Sequence, residues 1–135
     1  RKNDMKQYKT GKEIYRIGQL YYGDTGHCSV VAVAVSCNVG YGRALKEMSN
    51  QGRMLRTGAN VSQIHGAIRN LGFDVVKYDL EVNGTVSTIT KKLPKIGTFI
   101  AYVRSHILTI RDGEVIDWTE GRKHRIIRVM EVVKC

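Results

Sequence analysis

His106 and Asp117 flank an Asp112-Gly113 pair in the stretch SHILTIRDGEVIDWT, and a thiol, Cys28, lies far upstream at the head of a small, apolar run. A cysteine followed at a distance by a histidine and a carboxylate is the residue order of thiol chemistry. A thiolate attacks, an imidazole moves the proton, and an acid orients the ring. The Asp-Gly pair between β-branched residues predicts a hairpin with a two-residue loop, and such a loop sets the register. Arg111 then faces Glu114, followed by Ile110 with Val115, Thr109 with Ile116, Leu108 with Asp117 and His106 with Thr119. Alternation places His106, Leu108, Ile110 and Asp117 on one face. His106 and Asp117 become diagonal neighbours, roughly 7–8 Å apart at the backbone, close enough for a carboxylate to hold an imidazole nitrogen. A strand histidine by itself is more often packed or solvated than catalytic. The upstream thiol is what turns the pair into a candidate site.

Cys28 sits in GDTGHCSVVAVAVSCN. The run after it is a buried helix or a buried strand. Periodicity does not separate the two, and the valines favour a strand by propensity. The helix reading rests on Thr25 and Gly26, which supply loop and cap chemistry before the run, and on Asn38 and Gly40, which supply a stop after it. Cys28 would then occupy the first turn, where free backbone N–H groups and the helix dipole favour the thiolate. Cys37, nine residues on, has no such setting and reads as a small core residue. His27 reads as a bystander pointing elsewhere, a loop histidine in water. Cys28, Cys37 and Cys135 are odd in number, and their spacing makes neither a disulfide framework nor a zinc site. The sequence therefore calls for no metal and no cofactor.

From GHCSVVAVAV to the C-terminus, the order of parts resembles a minimal papain-like cysteine peptidase, of the compact kind seen in bacteriocin-processing peptidase domains and related phage-encoded proteins. TFIAYVRSHILTIRDGEVIDWTEG resembles the histidine-to-aspartate hairpin of that family, and RIIRVMEVV its closing strand. The resemblance implies Cys28 as nucleophile, His106 as general base and acid, and Asp117 as the orienting group. The family usually places a glutamine about five or six residues before the nucleophile as an oxyanion donor; Tyr22 and Gly23 occupy those positions here. Gln19, nine residues before Cys28, is the oxyanion candidate, provided that the loop Gly23 to Gly26 folds back. Thr25 and Asp24 are the other residues placed to fill that gap.

The remaining segments predict an α+β fold, N-terminal helices packed on a C-terminal antiparallel sheet, in one domain spanning 1–135. A basic arm at about residues 1–12 precedes an amphipathic stretch with Ile14, Tyr15, Ile17 and Leu20 as docking residues. Arg1 in place of an initiator methionine reads as a processed or excised domain of a larger polypeptide. GYGRALKEMSNQGRM sets Ala44, Leu45, Met48 and Met54 on one helical face. Asn60 caps a further helix with Val61, Ile64, Ala67, Ile68 and Leu71 in phase, stopped by Gly72. Phe73 to Tyr78 reads as a strand, Thr85 or Ser87 opens a short helix closed by Pro94, and TFIAYV is a strand.

A formal net charge of +10 and a pI near 9.7 bound the partners. Basic residues cluster at 1–12, at Lys91, Lys92 and Lys95, and at Arg122, Lys123 and Arg125. Such a surface attracts nucleic acid non-specifically and steers acidic proteins, although a merely soluble basic surface looks the same. No zinc-finger, RNA-recognition or phosphate-loop signature accompanies it. Two functions stand. One is a thiol-dependent hydrolase, a cysteine peptidase or isopeptidase acting on a protein or peptide; the other is an inactive or weak papain-like module that binds nucleic acid or an acidic protein. Unpaired thiols and the lack of a signal peptide or long apolar span point away from a membrane, to the cytoplasm or, for a phage-encoded chain, to the virion.

Overall fold

The computed structural model describes residues 10–79 and 84–135, so most of the basic arm lies outside the described residues. Its elements run α1 (Gly11–Tyr22), α2 (Cys28–Cys37), α3 (Tyr41–Asn50), α4 (Val61–Asn70), β1 (Phe73–Lys77), α5 (Val86–Ile89), β2 (Thr98–Val103), β3 (His106–Arg111), β4 (Glu114–Ile116) and β5 (Arg128–Lys134). The strands form one antiparallel sheet in the order β1-β5-β2-β3-β4. The protein is α+β.

The valine-rich run folds as a helix, and magnitudes explain why. Valine loses at most about 0.7 kcal/mol per residue in a helix relative to alanine, whereas burying its side chain contributes roughly 1.5–3 kcal/mol. Every residue from Ser29 to Cys37 is buried, so burial wins. Asn38, in the left-handed conformation at φ 53°, ends the helix, while Gly40 serves as the N-cap of α3 instead of a stop. The N-cap of α2 is His27, which makes no side-chain capping bond, so neither Thr25 nor Gly26 caps it. Among the described residues, no single helix is long and apolar enough to cross a membrane.

Helices α2 and α4 pack on one face of the sheet, and α1 and α3 pack on α2. Ile100, Ile107, Ile116, Val75 and Val132 supply the sheet side of this core. The opposite face buries Phe99, Leu108, Ile110 and Val129 under Val86, Ile89, Leu93 and Ile126. Leu20 and Met54 lie outside both cores and are exposed, as is the edge of Val61, because each falls past the apolar stripe of its segment. Asn60 caps α4 as expected, and Gln63 returns a bond to the Asn60 N–H, which completes a capping box.

Helix α2 runs parallel to β3, and polar staples fix their alignment. The Thr109 hydroxyl donates to the Ala32 carbonyl at 3.2 Å, and the Arg111 guanidinium donates to the Val35 carbonyl at 3.3 Å. Residues 107, 109 and 111 therefore face the helices, and Leu108 and Ile110 face away. Helix α1 lies against the far end of the hairpin. Its first residue, Gly11, sits on the backbone of Asp117 so closely that a Cβ atom would overlap it.

Candidate active site

The hairpin register holds for three pairs, Arg111 with Glu114, Ile110 with Val115 and Thr109 with Ile116. Asp112 at φ 51° and Gly113 at φ 80° make the turn, both in the left-handed region that this class of two-residue loop requires. The ladder then stops at Ile116, so the predicted pairs Leu108 with Asp117 and His106 with Thr119 do not form. Asp117 opens a turn whose own hydrogen bonds replace the ladder. His106 likewise begins β3 directly after Ser105, at φ 58°, instead of lying mid-strand. The contact predicted from the register survives this correction: His106 Nε2 and Asp117 Oδ2 are 2.7 Å apart.

Asp117 is buried, and each of its oxygens is held. Oδ2 also accepts from the Thr119 hydroxyl at 2.6 Å and the Thr119 N–H at 3.1 Å, and Oδ1 accepts from the Tyr15 hydroxyl at 2.9 Å. Such a carboxylate has one orientation, and it presents Oδ2 to the ring. With Nε2 committed to Asp117, Nδ1 is left for Cys28. Cys28 and His106 line one cleft, and the His106 imidazole and the Ile107 N–H both act on the thiol.

These contacts set the protonation states. Burial pushes the Cys28 thiol up, but the His106 hydrogen bond, the charge of that ring and the Ile107 N–H bring it below the usual thiol range. Burial likewise pushes His106 down, and the hydrogen bonds to Asp117 and Cys28 outweigh it, so the ring is raised to about 9. A thiol moved down and an imidazole moved up favour the thiolate–imidazolium pair. Cys37, by contrast, is pushed up to about 12 by burial, which leaves it a core thiol as its sequence setting predicts.

The loop before Cys28 reverses through Gly23 and Gly26, at φ 61° and 57°, which brings α1 back beside the site. Gln19 consequently lines the same cavity as Cys28 and His106, a cleft of about 740 Å³ that also touches Lys12, Arg16, Leu20 and Trp118. A second recess of about 260 Å³ meets it at Cys28 and His106 and is walled by Ser29, Ala59, Val61, Ile64 and Val103. Asp24 does not fill the oxyanion gap. Its carboxylate is fully buried in a bidentate bond to Arg53 at 2.9 and 3.0 Å, with the Tyr41 hydroxyl at 2.6 Å and the Arg56 N–H at 2.8 Å. His27 is not in water either: it is 3% exposed, its Nε2 lies 3.1 Å from the Tyr15 carbonyl, and its ring packs edge-on against Tyr15 and Tyr41.

Sequence reading missed the supporting residues. Tyr15 registered only as a docking residue and Thr119 only as a strand partner of His106, and Trp118 was given no part in the site, although it packs on the His106 ring with centroids 4.9 Å apart. Nothing local marks Tyr15, whose partner is 102 residues away. Among the described residues, no group of three or more His, Cys, Asp or Glu side chains is placed to hold a metal ion. Compared with family models, curated proteins and solved structures, the chain matches none.

Proposed function

We propose that this chain is a thiol-dependent hydrolase, a papain-like cysteine peptidase or isopeptidase acting as one domain on protein or peptide substrates. The observation that carries the reading is the row of thiol, imidazole and carboxylate contributed by α2, β3 and the turn after β4, at the mouth of an open cleft. In this reading the Cys28 thiolate attacks the substrate carbonyl carbon, and the carbonyl electrons move to oxygen. The Cys28 N–H, at a helix N-terminus, and the Gln19 side-chain amide receive that oxyanion, the second donor being worth about 2.7–4 kcal/mol. Imidazolium His106 gives its proton to the leaving nitrogen as the C–N bond breaks, leaving a thioester on Cys28. Water, deprotonated by the now neutral ring, attacks the thioester and expels the thiolate. Asp117, held by Tyr15 and Thr119, keeps the ring turned toward sulfur throughout.

Alkylation by iodoacetamide at neutral pH, followed by mass spectrometry, tests the site. The expected result is rapid modification of Cys28 alone, slowed at least tenfold in His106→Ala. Modification of Cys28 no faster than of the exposed Cys135 would remove the hydrolase reading. The charge of +10 supports a second reading, a basic module that binds nucleic acid or an acidic protein with the same fold. Its mark is an affinity for DNA or RNA that falls steeply with salt and is indifferent to Cys28→Ala.

A further inference from the structure

The two depressions that meet at Cys28 and His106 differ in chemistry. Lys12, Tyr15, Arg16 and Gln19 occupy positions i, i+3, i+4 and i+7 of α1, one helical stripe, and all four line the larger cleft. Lys12 and Arg16 are solvent-exposed, and no carboxylate is among the described residues lining this cleft. Glu13 and Glu120 lie in adjoining depressions, which Arg16 and Lys12 respectively also border. Arg122 adds a third cation nearby, its guanidinium 5.9 Å from the Trp118 ring centre. The smaller recess is walled by aliphatic side chains with Tyr102 and Ser105 among them, and the buried Ser29 hydroxyl in it has no partner among the described residues.

The hydrolase reading assigns the sides. His106 has to protonate the leaving group, and Trp118, which covers its ring, lines the larger cleft and not the recess. Ser29 follows the nucleophile, where the acyl group stays, and lines the recess and not the cleft. We propose that the cleft along α1 binds an acidic stretch of the substrate on the leaving-group side of the scissile bond, with Lys12 and Arg16 as the recognising cations. The acyl side is correspondingly uncharged, and its buried neighbour Ser29 offers a hydrogen bond to a polar atom of the substrate. This assignment rests on the hydrolase reading for its polarity, and on charge complementarity for its partner.

Binding measured on the Cys28→Ala chain tests it without any need for turnover, so the proposal and the hydrolase reading fail separately. The probes are a dye-labelled decapeptide with an uncharged N-terminal half and four glutamates in its C-terminal half, and the same peptide in reverse order. The first should bind roughly five- to tenfold more tightly at low salt, the sum of two exposed charge contacts. That preference should vanish in Lys12→Glu/Arg16→Glu. It should persist in Lys91→Glu/Lys92→Glu, which changes net charge equally. Lys91 and Lys92 follow α5 just before Lys95, and Lys95 lies against Gly113 at the far end of β3 from His106, roughly 17 Å along the strand. Equal binding of the two peptides, or equal losses in the two charge-reversed chains, would overturn the proposal.

Discussion

The chemistry of the site turns on where one proton resides. Cys28 lies below the ordinary thiol range and His106 is raised to about 9, two shifts that both favour charge on the sulfur and on the ring. For a hydrolase built this way, kcat/KM rises as the thiol ionises and falls above about pH 9, as the imidazolium needed by the leaving group is lost. Removing one lifting partner lowers that upper limb, so Asp117→Asn should move it toward neutrality, which a pH–rate profile would detect. The same shift has a stability sign. A folded value above the free-histidine value of 6.5 stabilises the fold fully below that pH, and the contribution disappears as pH rises through 9. Tyr15 serves this arrangement passively. Burial, with the neighbouring Asp117 charge adding to it, pushes its hydroxyl well above the usual range, so it remains a donor to Asp117 wherever the site operates.

At the scale of elements, the segment before α2 is held by a buried ion pair. Arg53→Ala would leave the Asp24 carboxylate in the interior with its strongest partner gone, a loss of about 3–5 kcal/mol in urea unfolding. Burial pushes Asp24 up, and the bonds from Arg53, Tyr41 and Arg56 bring it down to about 2. Its stabilisation is therefore complete above pH 3.8 and lost as pH falls through 2. Legibility in the sequence follows the range of the interaction. The Asp112-Gly113 turn, the Asn38 stop and the Asn60 cap are set by neighbouring residues, and each forms where the sequence places it. The helix after Cys28 was legible only through its Asn38 stop, since Thr25 and Gly26 do not cap it and its valines favour a strand. Asp24 with Arg53, 29 residues apart, and Tyr15 with Asp117 carry no local signal, which is why Asp24 read as an oxyanion candidate and Tyr15 as packing. The end of the ladder at Ile116 is only partly local in origin, because Asp117 is held both by Thr119, two residues on, and by Tyr15, 102 residues away.

Across the whole molecule, the site lies on the seam between the helical layer and the sheet, so no single segment contains it. Sulfur arrives with α2, the ring with β3 and the acid with the turn beyond β4, while α1 crosses the seam and touches the acid through Tyr15 and the cleft through Gln19. The staples from Thr109 and Arg111 keep α2 in step with β3. Helix α1 is tied to the turn after β4 by the Tyr15 hydroxyl on Asp117, and its first residue, Gly11, rests on the Asp117 backbone without space between them. One added carbon would act there as a wedge. Gly11→Ala should tilt the helix off its seat, slow Cys28 alkylation severalfold and leave the circular dichroism spectrum nearly unchanged, so that reactivity can be dimmed from a distance by the smallest side chain available.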